Sequence, residues 1–217
     1  MNKVILFDLD GTLIDSTDAI VSTFYFSFEK MKFNYGGSEN EIVNLIGYPL
    51  EIMYENLGVP LKDVDIFVDE YRKRYREISL EQTILLPDAK EALELASSFA
   101  RLGIVTTKTT RYTIPLLKHM GIFDYFECII GREDVTYPKP HPEPILKAME
   151  LMSITNENFD IYMIGDTKLD LIAAKEANIK GIGVLCGYGK IEDLSIYTQE
   201  IKANSLLAVK NLSGSKK

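Results

Sequence analysis

The chain is short of several things that would each have pointed to a function. Of its 217 residues only two are cysteines, Cys128 and Cys186. Two thiols make neither a disulfide framework nor a four-thiolate zinc site. Long apolar stretches are missing as well. The longest run without a charged residue is Ala19–Phe28, about half of the roughly 20 residues that a membrane-spanning helix needs. Lys3 is followed by only a short apolar run before Asp8, too short for a secretory signal. Positive charge is in deficit: 24 Lys+Arg stand against 32 Asp+Glu, a net charge of −8. Such a chain is a poor general binder of nucleic acid or anionic lipid. A reduced, cytoplasmic, soluble protein is expected, with no nucleic-acid or membrane partner. Monomer and dimer are both compatible with the sequence.

What is present is ordinary globular material, with 46% hydrophobic and 26% charged residues, enough to bury a sizeable core. Continuous apolar runs occur at Val4–Phe7, Ile104–Val105, Cys128–Ile130, Ile161–Ile164 and Ile182–Leu185. Continuity rather than alternation is the mark of strands covered on both faces, as in a parallel sheet. Between them Asp88–Phe99, Tyr112–Met120, Glu143–Met152 and Lys168–Ala177 read as helices. Strand and helix alternation predicts an α/β fold, a doubly wound, mostly parallel sheet with a Rossmann-like core.

The first strand is followed by an excess of chain too long for a structureless loop. It reads as helices over Thr17–Met31, Ser38–Ile46, Leu50–Leu57 and Lys62–Ile78, punctuated by Gly36-Gly37, Gly47 with Pro49, and Gly58 with Pro60. Residues 16–86 are therefore expected to form a small helical cap domain, and 1–15 with 87–217 the α/β core, Pro87 marking the return. The polar tail Ser213–Lys217 is expected to fray.

Acidic residues gather at strand ends. Asp8-Leu9-Asp10-Gly11-Thr12 directly follows the first run, at the sheet edge where ligands of open α/β sheets collect. The pattern suits a nucleophilic Asp with a second Asp as acid/base, and equally an Asp-rich turn capping a helix. Gly165-Asp166-Thr167 with Asp170 follows another run. Alone, Asp166 would read as a helix N-cap, but two acidic clusters at equivalent strand ends suit a hard divalent cation. Thr106, Thr107 and Lys108 end a third strand, where a hydroxyl can donate to a phosphate oxygen or simply be a β-branched strand residue. Lys139 lies among Pro138, Pro140, Pro142 and Pro144. This extended segment is either a stiff linker or a device that aims an ammonium at an anion. His141 beside it reads as structural.

These pieces, in this order, resemble the haloacid dehalogenase superfamily. Asp8–Thr12 matches its first motif, Thr106 the second, Lys139 in Lys139-Pro140-His141-Pro142 the third, and Gly165–Asp170 the fourth. The helical insertion resembles that family's first cap type. Ile46-Gly47-Tyr48-Pro49-Leu50 and Lys139–Leu146 resemble the phosphoglycolate phosphatase group. Thr107 stands where that group often has Asn, Asp88 where Gly is usual, and the chain after Tyr188 matches poorly.

The resemblance implies a Mg²⁺-dependent phosphomonoester hydrolase acting on a small phosphorylated metabolite through an aspartyl-phosphate, with 2-phosphoglycolate as a candidate substrate. It makes Asp8 the nucleophile and Asp10 the acid/base. Asp8, Asp166 and the backbone carbonyl of Asp10 would hold the metal. Thr106 and Lys139, with backbone groups near Gly11 and Thr107, would hold the phosphoryl oxygens. Asp170 would stand behind them and orient a metal-bound water or Lys139. A sugar-phosphate mutase or pyrophosphatase of the same fold is the alternative, and a phosphorylatable regulatory module the non-enzymatic one. In the insertion, Arg72, Lys73, Arg74 and Arg76 read as a solvated helix face balanced by Asp69, Glu70 and Glu77. Arg72 and Arg76 are the two that could meet a second anionic group. Phe24, Tyr25, Phe26 and Phe28 read as helix-packing core.

Overall fold

A computed structural model describes residues 2–214. The strands are β1 (Lys3–Phe7), β2 (Ile14–Asp15), β3 (Ile84–Leu85), β4 (Ala100–Val105), β5 (Cys128–Ile130), β6 (Asp160–Gly165), β7 (Lys180–Val184) and β8 (Ile201–Lys202). The helices are α1 (Thr17–Lys30), α2 (Glu39–Val43), α3 (Leu50–Asn56), α4 (Val64–Ile78), α5 (Ala89–Ser97), α6 (Thr110–His119), α7 (Glu143–Leu151), α8 (Lys168–Glu176), α9 (Ile191–Leu194) and α10 (Ser205–Ser213).

Six strands form one sheet in the order β5-β4-β1-β6-β7-β8, and every pairing in it is parallel. The α/β expectation holds, with a sheet parallel throughout. The strand β1 shows why its sequence is continuously apolar. Successive side chains point to opposite faces: Ile5 and Phe7 join one cluster with Leu93 of α5, Leu116 of α6 and Val209 of α10. Val4 and Leu6 join another with Ala148 of α7 and Ala173 of α8.

The elements β2, β3, β8, α9 and α10 escape the sequence reading. The short strand β8 and the helix α10 lie in the stretch after Tyr188. Leu206, Val209 and Leu212 of α10 are buried in the first cluster, so this segment completes the sheet's cover. Ser213 is the last residue of α10 rather than part of a fraying tail. The rest of that tail, 215–217, lies outside the described residues. Helix boundaries shift too: the Ser38–Ile46 helix contracts to α2, held by a capping box between Ser38 and Glu41.

The helical segment has a hydrophobic cluster of its own, built on Phe24, Phe28, Tyr54, Phe67 and Tyr71. Phe24 packs against Tyr54 and Tyr71 with ring centroids 4.6 and 5.0 Å apart. The expected aromatic core is only half realised: Tyr25 is exposed, and Phe26 lies under the Arg74 guanidinium at 5.2 Å. The helices leave and rejoin the sheet through an antiparallel ribbon in which Ile14 pairs with Leu85 and Asp15 with Ile84.

Candidate active site

The parallel register decides which strand ends meet. Phe7 pairs with Ile104 on one side and with Ile164 on the other. The residues following β1, β4 and β6 therefore converge at one edge, bringing Asp8, Thr106 and Asp166 together. The Asp8 N–H donates to the Ile164 carbonyl at 2.9 Å, which fixes the start of the turn.

Asp8 is buried, as are Asp166, Asp170 and Lys139. The Lys139 ammonium donates to Asp8 Oδ1 at 2.8 Å, to Asp170 Oδ1 at 2.5 Å and to the Val105 carbonyl at 3.0 Å, so all three of its protons are used. The other Asp170 oxygen accepts from the Thr167 N–H and hydroxyl at 3.0 and 2.8 Å. Asp170 thus caps α8 and braces Lys139 at once. Asp166 accepts from Thr12 Oγ1 at 3.1 Å and from the Tyr188 N–H at 2.7 Å. The turn that carries Asp10 passes tightly over it. Gly11 has φ +81°, and a Cβ there would meet Asp166 Oδ2 at 2.4 Å. Only glycine fits on both counts.

Carboxylate oxygens of Asp8, Asp166 and Asp170 lie within 4.8 Å of one another. Burial pushes the Asp8 carboxyl up to about 7; Lys139 opposes that shift, while Asp170 and Asp10 add to it. Asp166 is raised well above the ordinary range by burial and by its two acidic neighbours. Fully ionised, three carboxylates facing one ammonium would carry two uncompensated negative charges in a buried site, which is why the metal-free carboxyls are raised. An all-oxygen donor set with that residual charge fits Mg²⁺.

Asp10 sits at the rim. Its Oδ1 accepts from the Ser16 hydroxyl and pairs with Lys108 Nζ at 3.2 Å. Its Oδ2 accepts no bond among the described residues. Lys108 also donates to the Tyr75 hydroxyl of α4 at 2.8 Å, its side chain 9% exposed between the two. Sequence reasoning named Lys108 only as a strand end. The signal it missed was two residues from Thr106 on the same turn. Thr106 Oγ1 accepts from the Lys108 N–H at 3.1 Å, leaving its own proton free for an acceptor. Thr107 donates its hydroxyl to the Gly47 carbonyl of the helical segment at 2.9 Å, and the Gly11 N–H donates to Ile14 at 2.8 Å.

A second residue missed in the sequence is Glu143 in the first turn of α7. It accepts from the N–H groups of Thr136 and Tyr137 at 2.9 and 2.8 Å. Those bonds pin the loop that presents Lys139 and hold the Glu143 carboxyl below its usual range. His141 is structural here, its Nδ1 accepting from the Glu143 N–H at 3.2 Å.

Between this edge and the helices lies a cavity of about 60 Å³. Asp10, Thr107, Lys108, Thr109, Tyr112 and Arg132 line it from the sheet side, and Ile46–Tyr48, Met53, Tyr71, Arg72 and Tyr75 from the helices. Of the basic residues on α4, Lys73 and Arg74 pair with Glu70 and Glu77 on the helix surface, as expected of a solvated face. Arg72 alone of that cluster lines the cavity.

Comparison with known proteins agrees with this geometry. Residues 5–184 match the family described as haloacid dehalogenase-like hydrolase. A phosphoglycolate phosphatase of Salmonella typhi is 30% identical, the match covering 93% of this chain and 90% of that protein. Its counterpart in Escherichia coli K12 is 31% identical over 88% of this chain and 85% of its own. The crystal structure of a haloacid dehalogenase-like hydrolase from Bacteroides fragilis superposes with a TM-score of 0.89 at 30% identity, covering 96% of this chain and all of that one. The chain belongs to the haloacid dehalogenase-like hydrolases and is a phosphatase of that family.

Proposed function

We propose that the enzyme hydrolyses a small phosphomonoester, with 2-phosphoglycolate as the leading substrate, through an aspartyl-phosphate on Asp8. The observation that carries this reading is the buried cluster of Asp8, Asp166, Asp170 and Lys139 at the carboxyl edge of the sheet. The relatives named phosphoglycolate phosphatase supply the substrate.

In the proposed reaction an Asp8 oxygen bonds to phosphorus as the ester P–O bond breaks. Asp10 gives its proton to the departing oxygen. Water then attacks the same phosphorus, its proton passes to Asp10, and phosphate leaves Asp8. With Ser16 and Lys108 both on Oδ1, Oδ2 of Asp10 is the atom through which that proton moves. Asp8, Asp166 and the Asp10 carbonyl would hold Mg²⁺. When bound, it offsets the repulsion between Asp8 and the phosphate and stabilises charge on the transferring group. Lys139 neutralises and aims Asp8, Thr106 donates its free hydroxyl proton to a phosphoryl oxygen, and Asp170 keeps Lys139 in place. Thr107 and the turn at Gly11 shape the edge around the phosphate. Residues 16–86 serve as a cap that shuts the cavity against water during the first step, hinged on the ribbon at its root. Two free thiols and the absence, among the described residues, of any helix long and apolar enough to cross a membrane support a cytoplasmic setting.

The test is phosphate release from 2-phosphoglycolate, hexose phosphates, nucleoside monophosphates and pyrophosphate, with Mg²⁺ and with EDTA. The expected result is Mg²⁺-dependent release, lowered by about 10⁴-fold or more in Asp8→Asn. Undiminished release in that variant would remove Asp8 from the mechanism.

A further inference from the structure

Two guanidinium groups face the cavity between helices and sheet, and each carries a buried Nε–H with no hydrogen-bond partner. One belongs to Arg72 of α4. The other belongs to Arg132, in the turn that follows β5. Buried donors are normally satisfied, and one left over calls for a partner. Arg132 belongs to none of the ion pairs among the described residues, although the chain carries an excess of acids. Among the described residues its one side-chain hydrogen bond runs from Nη1 to the Val135 carbonyl at 3.2 Å. Arg72 has only loose partners, Glu51 at 3.4 Å and Asp69 at 3.8 Å. Glu51 lines the cavity as well and, being a third exposed, has to swing out to solvent for a second carboxylate to reach Arg72. The third cation on the cavity wall, Lys108, is already committed to Asp10 and Tyr75.

We propose that Arg72 and Arg132 together bind a carboxylate carried by the substrate, whose phosphate lies at Asp8. This rests on the proposed function and adds the residues that would select a short phosphorylated acid over an uncharged analogue of its leaving group. The planar, multi-donor guanidinium suits a carboxylate, and a cavity of about 60 Å³ limits the acid to a few atoms. Because one arginine stands on the helical side and the other on the sheet side, the carboxylate between them ties the two together. A substrate carrying that carboxylate thereby closes the enzyme over itself, and an ester of the same length without it does not.

The test compares 2-phosphoglycolate with ethyl phosphate, which has a methyl group in place of the carboxylate. Wild type is expected to favour 2-phosphoglycolate in kcat/KM. In Arg132→Met the ratio between the two esters should fall about 10- to 100-fold, the worth of hydrogen bonds to a charged group. Arg72→Met should lower it less, since Glu51 already offsets part of that charge, and Arg132→Lys should restore part of it. A purely structural role would depress both esters alike and leave the ratio unchanged, and that result overturns the proposal. So does a wild type indifferent to the carboxylate while hydrolysing both. If neither ester is hydrolysed, the 2-phosphoglycolate reading fails on its own. The arginine site is then judged by calorimetric titration of both esters onto Asp8→Asn in Mg²⁺. Tighter binding of 2-phosphoglycolate, lost on adding Arg132→Met, sustains the site, and equal binding of the two esters refutes it.

Discussion

The sheet edge and the helical insertion are held together by opposite means. At the edge, charges are buried: Lys139 is 3% exposed and Asp166 and Asp170 are fully covered, and each persists only because a neighbour answers it. In the insertion, charges such as Lys73 and Arg74 stay on the surface, while aromatic rings fill the interior. A buried charge set costs stability and is arranged for chemistry. An aromatic core supplies stability and leaves the surface free to vary. On the proposed function the division of labour follows: the sheet carries the reaction, the helices carry its enclosure, and Arg72 and Arg132 share the selectivity between them.

That contrast can be broken at either side. Asp10→Asn should lower turnover by about 10²–10⁴-fold while Mg²⁺ binding, read by calorimetry, persists through the backbone carbonyl. Phe24→Ala should cost about 3–5 kcal/mol in urea unfolding, and that cost should be the same with and without Mg²⁺. A loss that tracked Mg²⁺ would mean that the two regions are not separable.

A smaller effect concerns pH. In EDTA the Asp8 carboxyl titrates near 7 in the folded chain against an ordinary 3.8. Between those values the folded chain holds a proton that the unfolded chain has released, so its stability falls as pH rises through the interval. Melting temperature in EDTA should therefore be higher at pH 5 than at pH 8, and Mg²⁺ should flatten the slope by occupying the charged form. Phe24→Ala should shift that curve downward without changing its shape. The smallest change is expected from Asp88→Gly. Asp88 precedes α5 with φ 64°, a left-handed conformation that costs a side chain energy. Glycine should add somewhat less than about 1 kcal/mol, seen as a slightly raised melting temperature.

Legibility followed from how much of each element's cause is local. The run Val4–Phe7 announces a doubly covered strand by itself, and Asp8 and Asp166 sit at such ends, so the edge could be assembled from sequence once β1 and β6 were taken as neighbours. The strand β4 is legible around Ile104–Val105 and its neighbours, and its start is obscured because Arg101 interrupts the pattern. That side chain lies at the sheet margin, bound to Glu127 at 2.6 Å and to the Met152 carbonyl at 2.8 Å. The pair β2–β3 and the strand β8 are two residues each, too short for any periodicity, and exist through their pairing partners. Lys108 and Arg132 were invisible as site residues for a related reason. Lys108 has only its place two residues from Thr106 to mark it, nothing local distinguishes Arg132, and it is the approach of α4 that gives Lys108 its bond to Tyr75 and both a cavity to face.

The ribbon at the root of the insertion bears on how such a molecule can change. Its two strands lie about 4.8 Å apart, so the chain departs and returns at nearly the same point. Any helical module whose ends meet that closely could be hung there without stretching the sheet. Asp10, bridged to Ile14 at the foot of the ribbon, would keep its place throughout. The doorway is fixed while the room behind it is exchangeable, so new selectivity can be acquired by replacing a module, with the reacting groups left untouched.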